Sequence, residues 1–253
     1  MRTTLLTLSF CLFFAANTFA QRTIPAEEIL SQINRGEDVN YNNVKISGVL
    51  DLTNLDNRTS KKKGDSWFGN NRQYESTVEG SISFTNCAFL DDVIAYYNED
   101  DDTYIAHFEE DVIFEKCVFE RASEFKYSEF EEKASFAHTV FEEEANFKYA
   151  KFSDGPDFSA CVFDDDANFK YADFSDQPRY TNVLFEEEAN FKYAKFPDGV
   201  SFQSAVFNDL ANFKYTKFSS PLNLDNVSFN GDEDFKYTEI DGKDFTSYLI
   251  KTR

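Results

Sequence analysis

From Phe108 onward, large apolar residues recur at a spacing that alternates six and five: Phe108, Phe114, Phe119, Phe125, Phe130, Phe136, Phe141, Phe147, Phe152, Phe158, Phe163, Phe169 and Phe174. The series continues through Tyr180, Phe185, Phe191, Phe196, Phe202, Phe207, Phe213, Phe218, Leu224, Phe229, Phe235 and Ile240. Two residues before most of these centres stands a small residue, such as Ala145, Ala150, Cys161 or Ala167, with a polar residue between. Small, polar, large is the alternation of a strand whose outer members point the same way. Each link is therefore a very short strand followed by a corner. The tripeptide Phe-Lys-Tyr returns only every fourth link, at Phe125, Phe147, Phe169, Phe191, Phe213 and Phe235. The repeating unit is thus four links, and a period of this kind predicts a stacked repeat architecture. Four sides per turn make a square coil of about 22 residues. Stacked coils sit about 4.8 Å apart and pair their backbones with the coils above and below. A single coil cannot bury its own Phe, so stacking is obligatory.

The links Ala145-Asn146-Phe147-Lys148-Tyr149 and Ala167-Asn168-Phe169-Lys170-Tyr171 carry a resemblance. They are similar to the pentapeptide-repeat consensus of Ala, Asp or Asn, Leu and two variable residues, with Phe at the centre. The resemblance spans roughly residues 81–245 and implies an all-β fold, a right-handed quadrilateral parallel β-helix, or solenoid. Every second link departs from it by one extra corner residue, as in Phe141-Glu142-Glu143-Glu144-Ala145. That is why the coil holds 22 rather than 20 residues.

The flanks read differently. Residues 1–20 form a secretory signal: Arg2, an apolar run from Leu5 to Phe14, and Thr18-Phe19-Ala20 before the cut. The run is too short for a permanent span, so the protein is expected to be secreted or periplasmic. Residues 21–43 form an N-terminal cap, with a helix over about 25–36 in which Ile29, Leu30 and Ile33 share a face. Pro25 suits its first turn and Gly36 its stop. Val44, Leu50 and Leu55 then take up the six-five spacing, which places the β-helix over 44–245. Residues 246–253 make a C-terminal cap. Two stretches interrupt the register. Residues 56–80 hold Lys61, Lys62, Lys63 and the only Trp, Trp67, and residues 96–103 add about eight positions. Loops that interrupt a scaffold often carry function.

Charge narrows the choice of partners. The formal net charge is −21, and such a surface repels nucleic acid and anionic membranes. A basic protein, a cation or a surface polymer suits it better. One corner of each coil is densely acidic: Glu142, Glu143, Glu144, then Asp164, Asp165, Asp166, then Glu186, Glu187, Glu188. Carboxylates stacked at the coil spacing repel by roughly 0.9 kcal/mol per pair in bulk water. Ca²⁺, which takes several oxygen ligands, is the one candidate cofactor for that corner. The Tyr ladder at Tyr149, Tyr171, Tyr193 and Tyr215, with Trp67, is the candidate partner-binding strip. The stretch 98–109 is spaced loosely like an EF-hand loop through Asn98, Asp100, Asp102, Ile105 and Glu109, but Thr103 stands where that loop needs glycine.

Catalysis has no motif behind it. His107 and His138 stand in no nucleophile or zinc pattern. The cysteines Cys87, Cys117 and Cys161 take small inward slots rather than forming a disulfide framework. The expectation is an exported, non-enzymatic scaffold or binding protein. Three alternatives stand beside it: Ca²⁺-dependent adhesion or surface-polymer binding, a polysaccharide-active β-helix enzyme, and a DNA-mimic inhibitor of the kind the resemblance implies. Self-association, if present, is expected through an end of the β-helix.

Overall fold

The structure is a computed structural model that describes residues 22–62 and 72–245. The chain winds as a square coil with four faces, visited in the order IV, I, II, III. In one regular turn, face IV is Ala134–Ser135, face I Val140–Phe141, face II Ala145–Asn146 and face III Lys151–Phe152. Each of these strands pairs in parallel with a residue 22 positions on: Val140 with Val162, Ala145 with Ala167, Lys151 with Asp173. On face IV the ladder continues through single bridges, Ser135 to Asp157 to Arg179 to Ser201.

The apolar centres form four columns of rings down the inside. Phe147, Phe169 and Phe191 stack 5.1 and 5.0 Å apart and nearly coplanar. Between columns the rings meet edge to face, as Phe163 meets Phe169 at 85°. Both arrangements suit the ring quadrupole. Small residues fill the space between columns. Several of the polar ones donate to a carbonyl of the previous coil, Thr216 Oγ1 to Phe191 O at 2.7 Å and Cys161 Sγ to Phe136 O at 2.9 Å, whereas the buried hydroxyls of Ser123 and Ser128 have no partner. Cys87, Cys117 and Cys161 are free thiols.

The five-residue links turn through a left-handed residue. Tyr149 has φ 61° and Ala160 φ 56°, and the next amide closes the turn, Ala150 N to Phe147 O at 3.0 Å and Cys161 N to Phe158 O at 3.1 Å. Asn146 Oδ1 accepts from the Lys148 amide at 3.2 Å and braces the corner. A bulky residue at φ > 0 is uncommon. Here each such Tyr ring is stacked on its copies, which holds it in place. The six-residue links make the wider corners, among them the acidic one between faces I and II.

Both ends of the core are covered. The helix spans Ala26–Ile33 and buries Ala26, Ile29 and Ile33. It is shorter than 25–36, because Pro25 stays extended and ends a strand rather than opening the first turn. Gly36, at φ 67°, lies in the turn beyond it. The coil also begins before Val44: Arg22–Pro25 pairs in parallel with Val44–Ser47. At the other end Lys243–Asp244 folds back on Glu239–Ile240, and buried Phe245 lies 4.9 Å from Phe235. Residues 1–20, Trp67 and the stretch 246–253 lie outside the described residues.

Candidate functional site

Two coils are not regular. Val39 pairs with Ile82, 43 residues on, and Ile82 with Val112, 30 on. Both surpluses enter at the same corner, between faces II and III. Each is a β-hairpin: Thr59–Lys62 against Arg72–Val78, and Tyr96–Glu99 against Asp102–Phe108. The two hairpins join, because Gln73 to Val78 pairs in parallel with Thr103 to Phe108. A four-stranded sheet results. Its inner strands run on into face III, where Val78 and Phe108 are core residues.

Alternation gives this sheet two unlike sides. On one, Tyr74, Tyr104 and Tyr97 stack at 4.7 and 4.4 Å, and the Arg58 guanidinium lies 5.5 and 5.6 Å from the first two rings. The other carries Lys61, Gln73, Glu75, Thr103, Ile105 and His107. With Glu129, Lys151, Tyr127 and Tyr149 of face III and its corner, it borders a cavity of about 450 Å³. Two ion pairs stand inside, and Glu109 and Glu131 border the cavity without one. Lys61 bonds Glu75, and Lys151 bonds Glu129. Burial works to raise the Glu75 pKa, but hydrogen bonds from Lys61 and Gln73 outweigh it and hold the carboxyl below its ordinary range. Burial pushes the His107 pKa down against the pull of Glu129 and Glu75. His107 Nδ1 accepts the Glu129 amide at 3.2 Å.

A family model described as pentapeptide repeats (9 copies) matches residues 106–151, 147–195 and 191–239. The chain belongs to the pentapeptide-repeat family. Its fold is the right-handed β-helix of that family. No curated protein and no solved structure matches the chain.

The match covers the regular part of the pentapeptide-repeat rod and starts inside the second hairpin. Lys61, Gln73, Glu75 and Thr103 of the groove precede it. Sequence reading flags the interruptions at 56–80 and 96–103 and names Tyr149, which borders the groove, but not His107. The sheet's inner strands pair at an offset of 30 residues, Gln73 with Thr103, which the 22-residue period hides. One signal was available: both interruptions enter between faces II and III, so their chains must meet. The EF-hand-like stretch does not stand, because Asn98, Asp102 and Ile105 lie in an antiparallel hairpin with the turn at Asp100.

The ladders of the pentapeptide-repeat rod lie on its outer corners. Tyr127, Tyr149, Tyr171, Tyr193, Tyr215 and Tyr237 stack at 4.6 to 4.8 Å. Each inner ring covers the faces of its neighbours, so the ladder presents edges and hydroxyls rather than ring faces. Lys148, Lys170 and Lys192 lie 5.4 Å from the ring of the following Tyr. On the acidic corner, burial and then neighbouring carboxylates raise the pKa of Glu142, Glu144 and Asp164. Glu143 pairs with Arg121 at 2.6 Å. Asp166 Oδ1 accepts the Glu188 amide at 3.2 Å, and Glu186 accepts from Asn208. Asp165 Oδ1 takes the Asp166 amide, while Glu187 is exposed. Among the described residues no three His, Cys, Asp or Glu side chains are grouped as a metal site would need. No described helix is long and apolar enough to cross a membrane.

Proposed function

We propose that the chain is an exported, non-enzymatic pentapeptide-repeat scaffold that holds a polyhydroxylated surface polymer, a glycan, in the groove under its hairpin sheet. One observation carries this reading: the two interruptions of the rod combine into one sheet that borders a cavity of about 450 Å³. The lining suits hydroxyl groups. Lys61 with Glu75 and Lys151 with Glu129 are already neutralised in place, and Glu109 and Glu131 add acid, so an anionic ligand is disfavoured there. Their spare donors and acceptors, with the Tyr127 and Tyr149 hydroxyls, can take several hydroxyls at once. Binding in this mode is by hydrogen bonds along ring edges.

Glycan-array screening of the full chain, with calorimetry on the hits, tests it. Lys61→Met combined with Glu129→Gln should weaken binding at least tenfold, about 1.4 kcal/mol. An array without hits, or affinity unchanged in that variant, overturns the reading. Export is tested separately, by whether residues 1–20 direct a fused reporter out of the cytoplasm.

A second reading has its own observation. From Glu129 to Lys195 face III alternates charge along its ladder, with Glu129 to Lys151 and Asp173 to Lys195 paired. The acidic corner does not, and its carboxylates stack like upon like. Apart from the Arg121–Glu143 pair, that edge is uncompensated and suits a basic protein partner. Capture on the acidic corner should then fall steeply with added salt, since exposed charges are screened beyond a Debye length of about 8 Å.

A further inference from the structure

The hairpin sheet has a second recess on its aromatic side. Where the sheet leaves face II, a depression of about 340 Å³ is walled by Ile94, Tyr96, Tyr97 and Ala122, with Asp92, Glu124 and Asn146 as its polar groups. Glu124 is the outward residue of Ser123–Glu124 on face II and is half-buried. Asn146 Nδ2 donates to its Oε2 at 2.9 Å. A carboxylate has about four acceptor sites, so capacity remains for a donor arriving from outside. Burial, and then Glu144, raise the Glu124 pKa against the pull of Asn146 and Lys126. Lys126 is held on a wall of the recess and makes no ion pair with Glu124. Its Nζ donates to Tyr96 Oη at 2.8 Å and lies 4.2 Å from that ring's centroid.

The aromatic stack ends here. Tyr97 sits on the edge strand, and Tyr104 covers one face of its ring at 4.4 Å and 2°. Among the described residues no other ring packs on Tyr97. The stack already takes one guanidinium, that of Arg58, beside Tyr74 and Tyr104. We propose that the recess is a subsite for an arginine side chain of a basic protein partner. Its stem lies on Ile94 and Ala122, its guanidinium plane on the open face of Tyr97, and its donors on Glu124 and Asp92. This rests on the reading that the acidic surface meets such a partner. Arginine fits better than lysine, because its planar fork stacks on an aromatic face and donates to carboxylates in one geometry. The net charge of −21 draws such a segment in.

Calorimetry of the full chain with acetylated, amidated hexa-arginine and hexa-lysine peptides at one ionic strength tests the subsite. Hexa-arginine should bind at least fivefold more tightly. Glu124→Gln, which keeps the shape of the side chain, should bring it to the level of hexa-lysine, and so should Tyr97→Leu. Glu187→Gln, on the acidic corner outside the recess, should leave the preference intact. Equal affinity for the two peptides, or a preference that survives Glu124→Gln, overturns the subsite while the basic-partner reading stands. If neither peptide binds, both fall.

Discussion

From Phe125 to Ile240 every residue of the rod stands over its own copy, whereas between Leu55 and Phe108 two strand pairs project that have no copy at all. The regular part is closed. Its rings stack with their neighbours, its Tyr faces are covered up to the terminal Tyr237, and its outer surface is a set of straight ladders. The interrupted part is open, with an aromatic stack that ends in a free ring and a concave side lined by His107, Glu75 and Glu129. Repetition gives stability by letting each coil serve as template for the next, but a translationally regular surface has no unique place for a ligand. Insertions supply that place. The two regions should therefore respond to mutation in opposite ways.

The largest difference lies in the rings. Phe169 is fully buried, stacked on Phe147 and Phe191 and edge-on to Phe158 and Phe163. Phe169→Ala should cost about 3–5 kcal/mol in denaturant unfolding. Tyr104→Ala, which removes the middle ring of the hairpin stack, should cost only about 1 kcal/mol while abolishing the preference for arginine peptides. Equal losses of stability would mean that the hairpin sheet is part of the cooperative core.

Tyr180 breaks the uniformity of the rod from within. It occupies a Phe position between Phe158 and Phe202, at 5.1 and 5.0 Å, and its hydroxyl is buried without a hydrogen-bond partner. Removing an unsatisfied buried hydroxyl should recover about 1–3 kcal/mol. Tyr180→Phe should thus raise the unfolding midpoint, and a fall would show that the hydroxyl has a use inside the coil.

How much of this was legible follows from the same contrast. Spacing alone placed Phe108 to Ile240 in columns and assigned Cys87, Cys117 and Cys161 to inward slots, because in a solenoid each contact is set by one short period. The left-handed Tyr corners were not legible, since nothing in Phe-Lys-Tyr distinguishes a bulky residue at φ > 0 from one in an ordinary turn. The start of the coil at Arg22 was hidden by the helix Ala26–Ile33, which occupies the stretch where a corner would show the spacing. The candidate site was least legible of all. Sequence reading points to the ladders and to the two interruptions, but it cannot say which residues of the interruptions meet. The groove joins Lys61, Glu75, His107 and Glu129, which only the pairing of two hairpins brings together.

Charge should also separate the faces of the rod. Lys151→Glu puts like charges beside both Glu129 and Asp173, whereas Glu187→Lys places a cation on the acidic corner. Exposed pairs contribute about 0.2–1 kcal/mol, so the first should destabilise and the second stabilise by amounts of that order. Both shifts should shrink at high salt. Two shifts of the same sign would show that net charge, rather than the ladder, sets the effect.

The smallest effect is the one with the clearest sign. Burial holds the His107 pKa below its ordinary 6.5, so the unfolded chain takes the proton first. The contribution of His107 is fully present above pH 6.5 and is lost as pH falls through the folded value. The corner carboxylates run the other way. Glu142 and Glu144 have folded pKa values raised from 4.5, and Asp164 from 3.8. The folded state therefore binds their protons first, and stability increases as pH falls through the raised values. At still lower pH the gain ends, because Glu75 and Asp157, whose pKa values are held down, begin to lose their partners. Hydrogen exchange at pH 7.5 and pH 5, corrected for intrinsic rates, should show Arg72–Val78 and Asp102–Phe108 opening more readily in acid while the coils from Ala145 to Asn190 tighten. His107→Gln should remove the first response and leave the second. If both regions moved together, the hairpin sheet and the rod would be one unit, and the contrast between a closed stack and an open site would fail.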